Sequence, residues 1–273
     1  DTSITVAWTS VANATSYSIY LDGNLYTDNV TDNALNITGL TSASEHFIVV
    51  KAHDESNEVI STSNELCAHT NLTVSANMTL TQDLFVSDLF VDYGTLNLNG
   101  YNLYVNGDVL VSRGSDSAYL NINKGKLYIN GDLRMCSTNG SYSYGYLTMK
   151  NDEDYILVNG DMLVYPRYNY STLTAGTIEL KGDFTQKHYS DYPNNFYASG
   201  THRMLLSGDS LQTVSFTSTS SRFNVVDVKN FSEEGILFST AATVIELNDN
   251  GCIVAFANGE QSGWTLEADQ IYE

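Results

Sequence analysis

The stretch TLNLNGYNLYVNGDVLV, Thr95–Val111, decides how the chain is read. It holds three short alternating runs, Leu96-x-Leu98, Leu103-x-Val105 and Val109-x-Val111, separated by Asn and Gly turns. Period-two alternation puts one residue of each run inward and its neighbour outward. The phrase inside the stretch then recurs. LYVNGD at Leu103–Asp108 returns as LYINGD at Leu127–Asp132 and ILVNGD at Ile156–Asp161, and more loosely as IELKGD at Ile178–Asp183 and MLLSGD at Met204–Asp209. Its glycines are spaced 24, 29, 22 and 26 residues apart. A recurrence of that period marks a solenoid, propeller or array. A coil of this length with three short strands fits a parallel β-helix filled by Leu, Val, Ile and Met.

Working outward, residues 71–273 are expected to be this helix, taken as right-handed because that is the usual sense of the fold class. Residues 71–94 have strand periodicity without Gly-Asp and are read as a first, imperfect coil. Residues 211–273 drift from the repeat and are read as irregular C-terminal coils with a cap, since terminal repeats shield the exposed core. In each Gly-Asp phrase, Gly is expected to supply a positive φ and Asp to bond its local backbone. Asn106, Asn130 and Asn159 are expected to stack their amides from coil to coil.

Residues 1–70 lack the phrase. Strand-like runs at Ile4–Trp8, Ser16–Leu21, Ala34–Ile37, Phe47–Ala52 and Ser61–Leu66 alternate with turns, among them the hairpin signal Asp22-Gly23. Trp8 in ITVAW, Tyr17 in ATSYSIYLDG and the segment LTSASEHFIVVKA (Leu40–Ala52) resemble a fibronectin type III domain. The resemblance implies a small β-sandwich in which Trp8 takes the place of the strand-B tryptophan and Tyr17 that of the strand-C tyrosine. Two positions depart from it: Ser42 stands where the family has proline, and His46 at the tyrosine corner. The overall expectation is an all-β chain, a fibronectin type III-like sandwich followed by a parallel β-helix. The segments LSGDSLQTVSF (Leu206–Phe216) and FNVVDVKN (Phe223–Asn230) resemble repetitive solenoids in secreted surface proteins of anaerobic Gram-positive bacteria. That resemblance implies an extracellular, secreted or wall-attached setting within a larger multidomain protein.

Twelve basic residues against 32 acidic give a net charge of −20. Nucleic acid and anionic membrane surfaces both need Lys/Arg neutralisation, so neither is expected as a partner. No run reaches the roughly 18 apolar residues of a membrane span. Cys67, Cys136 and Cys252 are far apart and form no CxxC pattern, which argues against a zinc site or a disulfide framework. Each lies among apolar neighbours and is expected to be a buried thiol.

Two constellations could carry function. Asp108, Asp132 and Asp161 would stack on one edge of the helix, where carboxylates could hold calcium; otherwise they serve the turn, and no cofactor is required. The longest insertions are rich in tyrosine: Tyr142, Tyr144 and Tyr146; Tyr165, Tyr168 and Tyr170; Tyr189, Tyr192 and Tyr197, with Arg167 among them. Insertions at one phase of successive repeats project from one face. Tyrosine faces edged by polar groups suit a neutral polysaccharide, a cell-surface or host glycan, or a protein. The alternative is that the rings pack on one another to hold the loops down. The case for an enzyme is weaker. No HExxH, GxSxG or phosphate loop occurs, and the acidic run Asp152, Glu153, Asp154 is expected to be solvated. A non-catalytic adhesion or carbohydrate-binding module leads, with a structural stalk and a polysaccharide lyase or glycoside hydrolase behind it.

Overall fold

The computed structural model describes residues 2–137, 142–168, 170–189 and 191–257, and the backbone alone at 265–266. These residues form two compact units, Asp1–Leu72 with Phe85–Ser87, and Thr73–Leu84 with Asp88–Glu273.

The first unit is antiparallel. Strands Ile4–Ala7 and Ala34–Ile37 pair with each other. In the second sheet, Asn24–Val30, Ser16–Leu21, Glu45–His53 and Val59–Thr62 lie in that order, and Leu66–His69 also pairs with Glu45–His53. Inward residues Ile4, Val6, Tyr17, Ile19, Ile37, Ile48, Val50 and Ala52 make the core. Asp22 and Gly23 both have positive φ, 51° and 77°, and close the hairpin between Ser16–Leu21 and Asn24–Val30. The expected strand Ser61–Leu66 is instead two strands, because the chain leaves the sheet at Ser63–Glu65 and re-enters at Leu66. His46 binds Asp22 Oδ2 through Nδ1 and Ser44 Oγ through Nε2, each at 2.8 Å. A groove of about 420 Å³ opens in this unit among Val6, Trp8, Tyr17, Val50 and Leu66.

The second unit is a parallel β-helix. One sheet stacks Asn102–Val105, Lys126–Ile129, Tyr155–Val158, Thr177–Leu180, Arg203–Leu206 and Arg222–Val228, each strand parallel to the next. A second sheet stacks the strands that follow the Gly-Asp pairs, Val109–Val111, Leu133–Met135, Met162–Val164, Phe184–Gln186 and Gln212–Phe216, and continues through Ile236–Phe238 and Val254–Phe256. A third, shorter sheet holds Gly94–Asn97, Ala118–Asn121, Gly145–Met149 and Thr172–Leu173. Beyond it, single bridges Leu173↔Ala198 and Tyr197↔Arg222 take over.

Register makes the core columnar. Leu103, Leu127, Ile156, Ile178, Met204 and Val226 are direct neighbours down one sheet, all fully buried. Further along, Phe184, Phe196, Phe216 and Phe223 replace the aliphatic filling, with ring centroids 4.8–5.7 Å apart. Strands continue through Val254–Phe256, whereas the expected cap and most of GWTLE fall outside the described residues.

The Gly-Asp phrase works differently from the expectation. None of Gly107, Gly131, Gly160, Gly182 or Gly208 has a positive φ. At Gly131, Gly160, Gly182 and Gly208 glycine is needed because the coils stack too closely for a side chain: a Cβ on Gly160 would lie 2.4 Å from Asp132 Oδ1 and 2.7 Å from Gly131 O. Nor does the aspartate serve its own turn. Asp88 Oδ1 accepts from Asp108 N, Asp108 Oδ1 from Asp132 N, Asp132 Oδ1 from Asp161 N and Asp161 Oδ1 from Asp183 N, each at 2.8 Å. Asp183 Oδ1 ends the series on Thr213 N. Each carboxylate therefore ties its coil to the following one. Asp209 is outside the ladder, because Gln212 fills that corner by donating to Leu180 O and Gly182 O. The asparagines do stack, Asn130 Nδ2 donating to Asn106 Oδ1 at 3.3 Å and Asn159 Nδ2 to Asn130 Oδ1 at 3.0 Å.

Two further expectations are corrected. Asp154 is buried, its Oδ1 accepting from Lys124 N and its Oδ2 from Lys150 N and Asn151 N; only Asp152 and Glu153 of that run are exposed. Of the cysteines only Cys136 is buried, while Cys252 is half-buried and Cys67 exposed, because Cys67 lies on the outer face of its strand.

Candidate functional site: a tyrosine layer on successive coils

The tyrosine loops leave the helix after the second-sheet strands Leu133–Met135, Met162–Val164 and Phe184–Gln186. The ladder continues into them. Ser143 N donates to Tyr165 O and Arg167 N to Ser143 O, so Ser143 and Pro166 bridge in parallel. Both point inward and are buried. Alternation then turns Tyr142 and Tyr144 of one coil, and Tyr165 and Arg167 of the next, to the outer side. The third loop is anchored by Asn195, fully buried, whose Nδ2 donates to Pro166 O and Lys187 O while its Oδ1 accepts from Gln186 Nε2. Sequence reading missed Asn195 and Gln186, since nothing in an Asn-rich, polar loop distinguishes a buried amide from a solvated one.

Eight of the nine tyrosines come together. Tyr142 meets Tyr144, Tyr165 and Tyr189 at centroid distances of 6.3, 6.3 and 4.5 Å. Tyr168 meets Tyr144, Tyr170 and Tyr192 at 5.9, 5.3 and 4.7 Å, and Tyr146 meets Tyr170 at 5.1 Å. Most pairs are edge-to-face, the arrangement ring quadrupoles prefer. Arg167 sits among them. Its guanidinium carbon lies 5.1–5.8 Å from the rings of Tyr142, Tyr144, Tyr168 and Tyr189, and Nη1 donates to Tyr144 Oη at 2.5 Å. Cations within about 6 Å of a ring centroid are attracted to its face. The Tyr144 hydrogen bond and the surrounding phenols hold the Arg167 pKa above its ordinary value. Its Nε is buried without a hydrogen-bond partner.

The ninth tyrosine, Tyr197, lies elsewhere, under Arg222 at 4.0 Å. Exposure sorts the others. Tyr146 is wholly buried, and burial pushes its phenol pKa well up. Tyr170 is 57% exposed and Tyr192 36%, so these two offer ring surface to a ligand.

The calcium candidates Asp108, Asp132 and Asp161 each commit Oδ1 to the next coil, and Arg134 Nη2 binds Asp132 Oδ2 at 2.6 Å. A cation at Asp132 would have to displace that guanidinium.

No protein-family model matches the sequence, and no curated protein matches it. Among solved structures, the chain is similar to the crystal structure of the pectate lyase Pel3 from Pectobacterium carotovorum, at 12% identity over 93% of this chain and 76% of that one, with a TM-score of 0.23. A score that low says nothing of activity. The parallel registers themselves define the second unit as a β-helix. No helix among the described residues is long and apolar enough to cross a membrane.

Proposed function

We propose that the chain is a non-catalytic module of an extracellular, secreted or wall-attached protein, and that its tyrosine layer binds a neutral glycan. The observation that carries this reading is the juxtaposition of Tyr168 and Tyr170 of one loop with Tyr192 of the next, Tyr170 and Tyr192 being open to solvent. Ring faces cover the C–H surface of a sugar, and the phenol edges and loop amides bond its hydroxyls. In this reading residues 1–70 are a fibronectin type III-like spacer, supported by the edge contact of Trp8 with Tyr17 at 5.3 Å, and the β-helix is right-handed. The test is affinity electrophoresis in gels containing neutral polysaccharides. The wild-type chain is expected to be retarded in at least one, and Tyr170→Ala with Tyr192→Ala to lose the retardation. A double variant retarded as strongly as wild type would sink the assignment.

A second reading, a structural stalk, is favoured by a different observation: Tyr146 and Asn195 are fully buried and fasten the loops down. It expects no retardation by any glycan.

A further inference from the structure

The spacing of the cysteines hides what the strand register brings together. In the first unit Glu45–His53 and Leu66–His69 pair antiparallel, with Glu45 opposite His69 and Phe47 opposite Cys67. Residues two apart on a strand share a face, so Glu45, Cys67 and His69 all project from the same side. Their donor atoms converge. Glu45 Oε2 lies 3.5 Å from His69 Nε2 and 3.5 Å from Cys67 Sγ, and all three donors lie within 4.8 Å of one another. The His69 ring is held in plane against Phe85, centroid to centroid 5.8 Å and 30° apart.

We propose that Glu45, Cys67 and His69 form a binding site for a divalent transition metal of the zinc class, with the fourth position left to water or an outside ligand. The distances carry this. Bonds of ~2.3 Å to sulfur and ~2.0–2.1 Å to nitrogen and oxygen at tetrahedral angles put the donors about 3.3–3.6 Å apart, which is where Glu45 already stands from both partners. Thiolate with imidazole selects zinc-like ions over calcium or magnesium, whose ligands are all oxygens. The surroundings suit a cation: the carboxylates of Glu45 and Glu65 put negative charge beside Cys67. On binding, Cys67 gives its proton to solvent and Sγ coordinates as thiolate. The residues are surface-exposed or half-buried, so the site is open to metal in solution.

The experiment is titration of the full chain, under a non-thiol reductant, with Zn2+ by calorimetry and with Co2+ by absorbance. One ion per chain is expected, with a thiolate-to-Co2+ charge-transfer band, retained in excess Mg2+. Cys67→Ser should abolish the band, and Cys67→Ser and His69→Ala should each weaken Zn2+ binding at least tenfold with unchanged circular dichroism. His188→Ala, in the other unit, should bind as wild type. Absence of binding, or binding in which Cys67→Ser leaves band and affinity intact, would overturn the site. So would an ion displaced by Mg2+, which would belong to the acidic surface.

Discussion

A methyl group on Gly160 has nowhere to go. It would meet Asp132 Oδ1 at 2.4 Å and a backbone oxygen at 2.7 Å, both far inside contact distance. Gly160→Ala must push two coils apart or break the carboxylate's bond, and is expected to destabilise the β-helix by about 2–4 kcal/mol, read from urea denaturation. Asp132→Ala leaves Asp161 N without its acceptor and should cost about 1–3 kcal/mol. His202 provides a pH test. It is buried, its Nε2 has no partner, and burial drives its pKa down to about 4 despite the opposing charge of Asp154. Because the folded value lies below the unfolded one, the unfolded chain binds the proton first. Stability is whole above pH 6.5 and falls as the pH drops toward 4, by roughly 3 kcal/mol. His202→Leu should flatten that slope in denaturation curves taken from pH 7 to 4.

At the level of the strand and loop, the tyrosine insertions separate two kinds of ring. Tyr146→Ala empties a filled position in the strand Gly145–Met149 and should cost about 3–5 kcal/mol. Tyr170→Ala removes a ring more than half in water and should change stability by no more than about 1 kcal/mol. Thermal denaturation of the two variants side by side checks the contrast. The same level shows what could be read from the chain alone. Alternation such as Leu103-x-Val105 gave away strand and facing together, because a buried face filters every second residue. The Gly-Asp pair was visible as a repeat, but its physics was not. Positive φ and close coil contact both select glycine, and only the stacked coils tell them apart. Asp88 went unnoticed because no Gly precedes it, and the Glu45–Cys67–His69 cluster because its members meet only across a strand pairing.

For the whole β-helix, the periodic bonds imply that coils are removable units. Deleting Val109–Asp132 takes out one period of 24 residues and joins Asp108 to Leu133. Asp161 N would then find Asp108 Oδ1 in place of Asp132 Oδ1. Stability in such arrays is roughly a sum over repeats and their interfaces. The shortened chain is expected to fold with parallel-sheet circular dichroism and a smaller urea m-value, in step with the surface lost. Deleting Val109–Leu120, half a period, should abolish folding.

The bonds span 20, 24, 29, 22 and, from Asp183 to Thr213, 30 residues. The rungs hold while the chain between them lengthens and shortens, like the teeth of a zip fastener on cloth of uneven weave. A lineage carrying this chain can therefore enlarge the loops between two teeth without disturbing the fastening. Novelty accumulates in the cloth, and the teeth keep count.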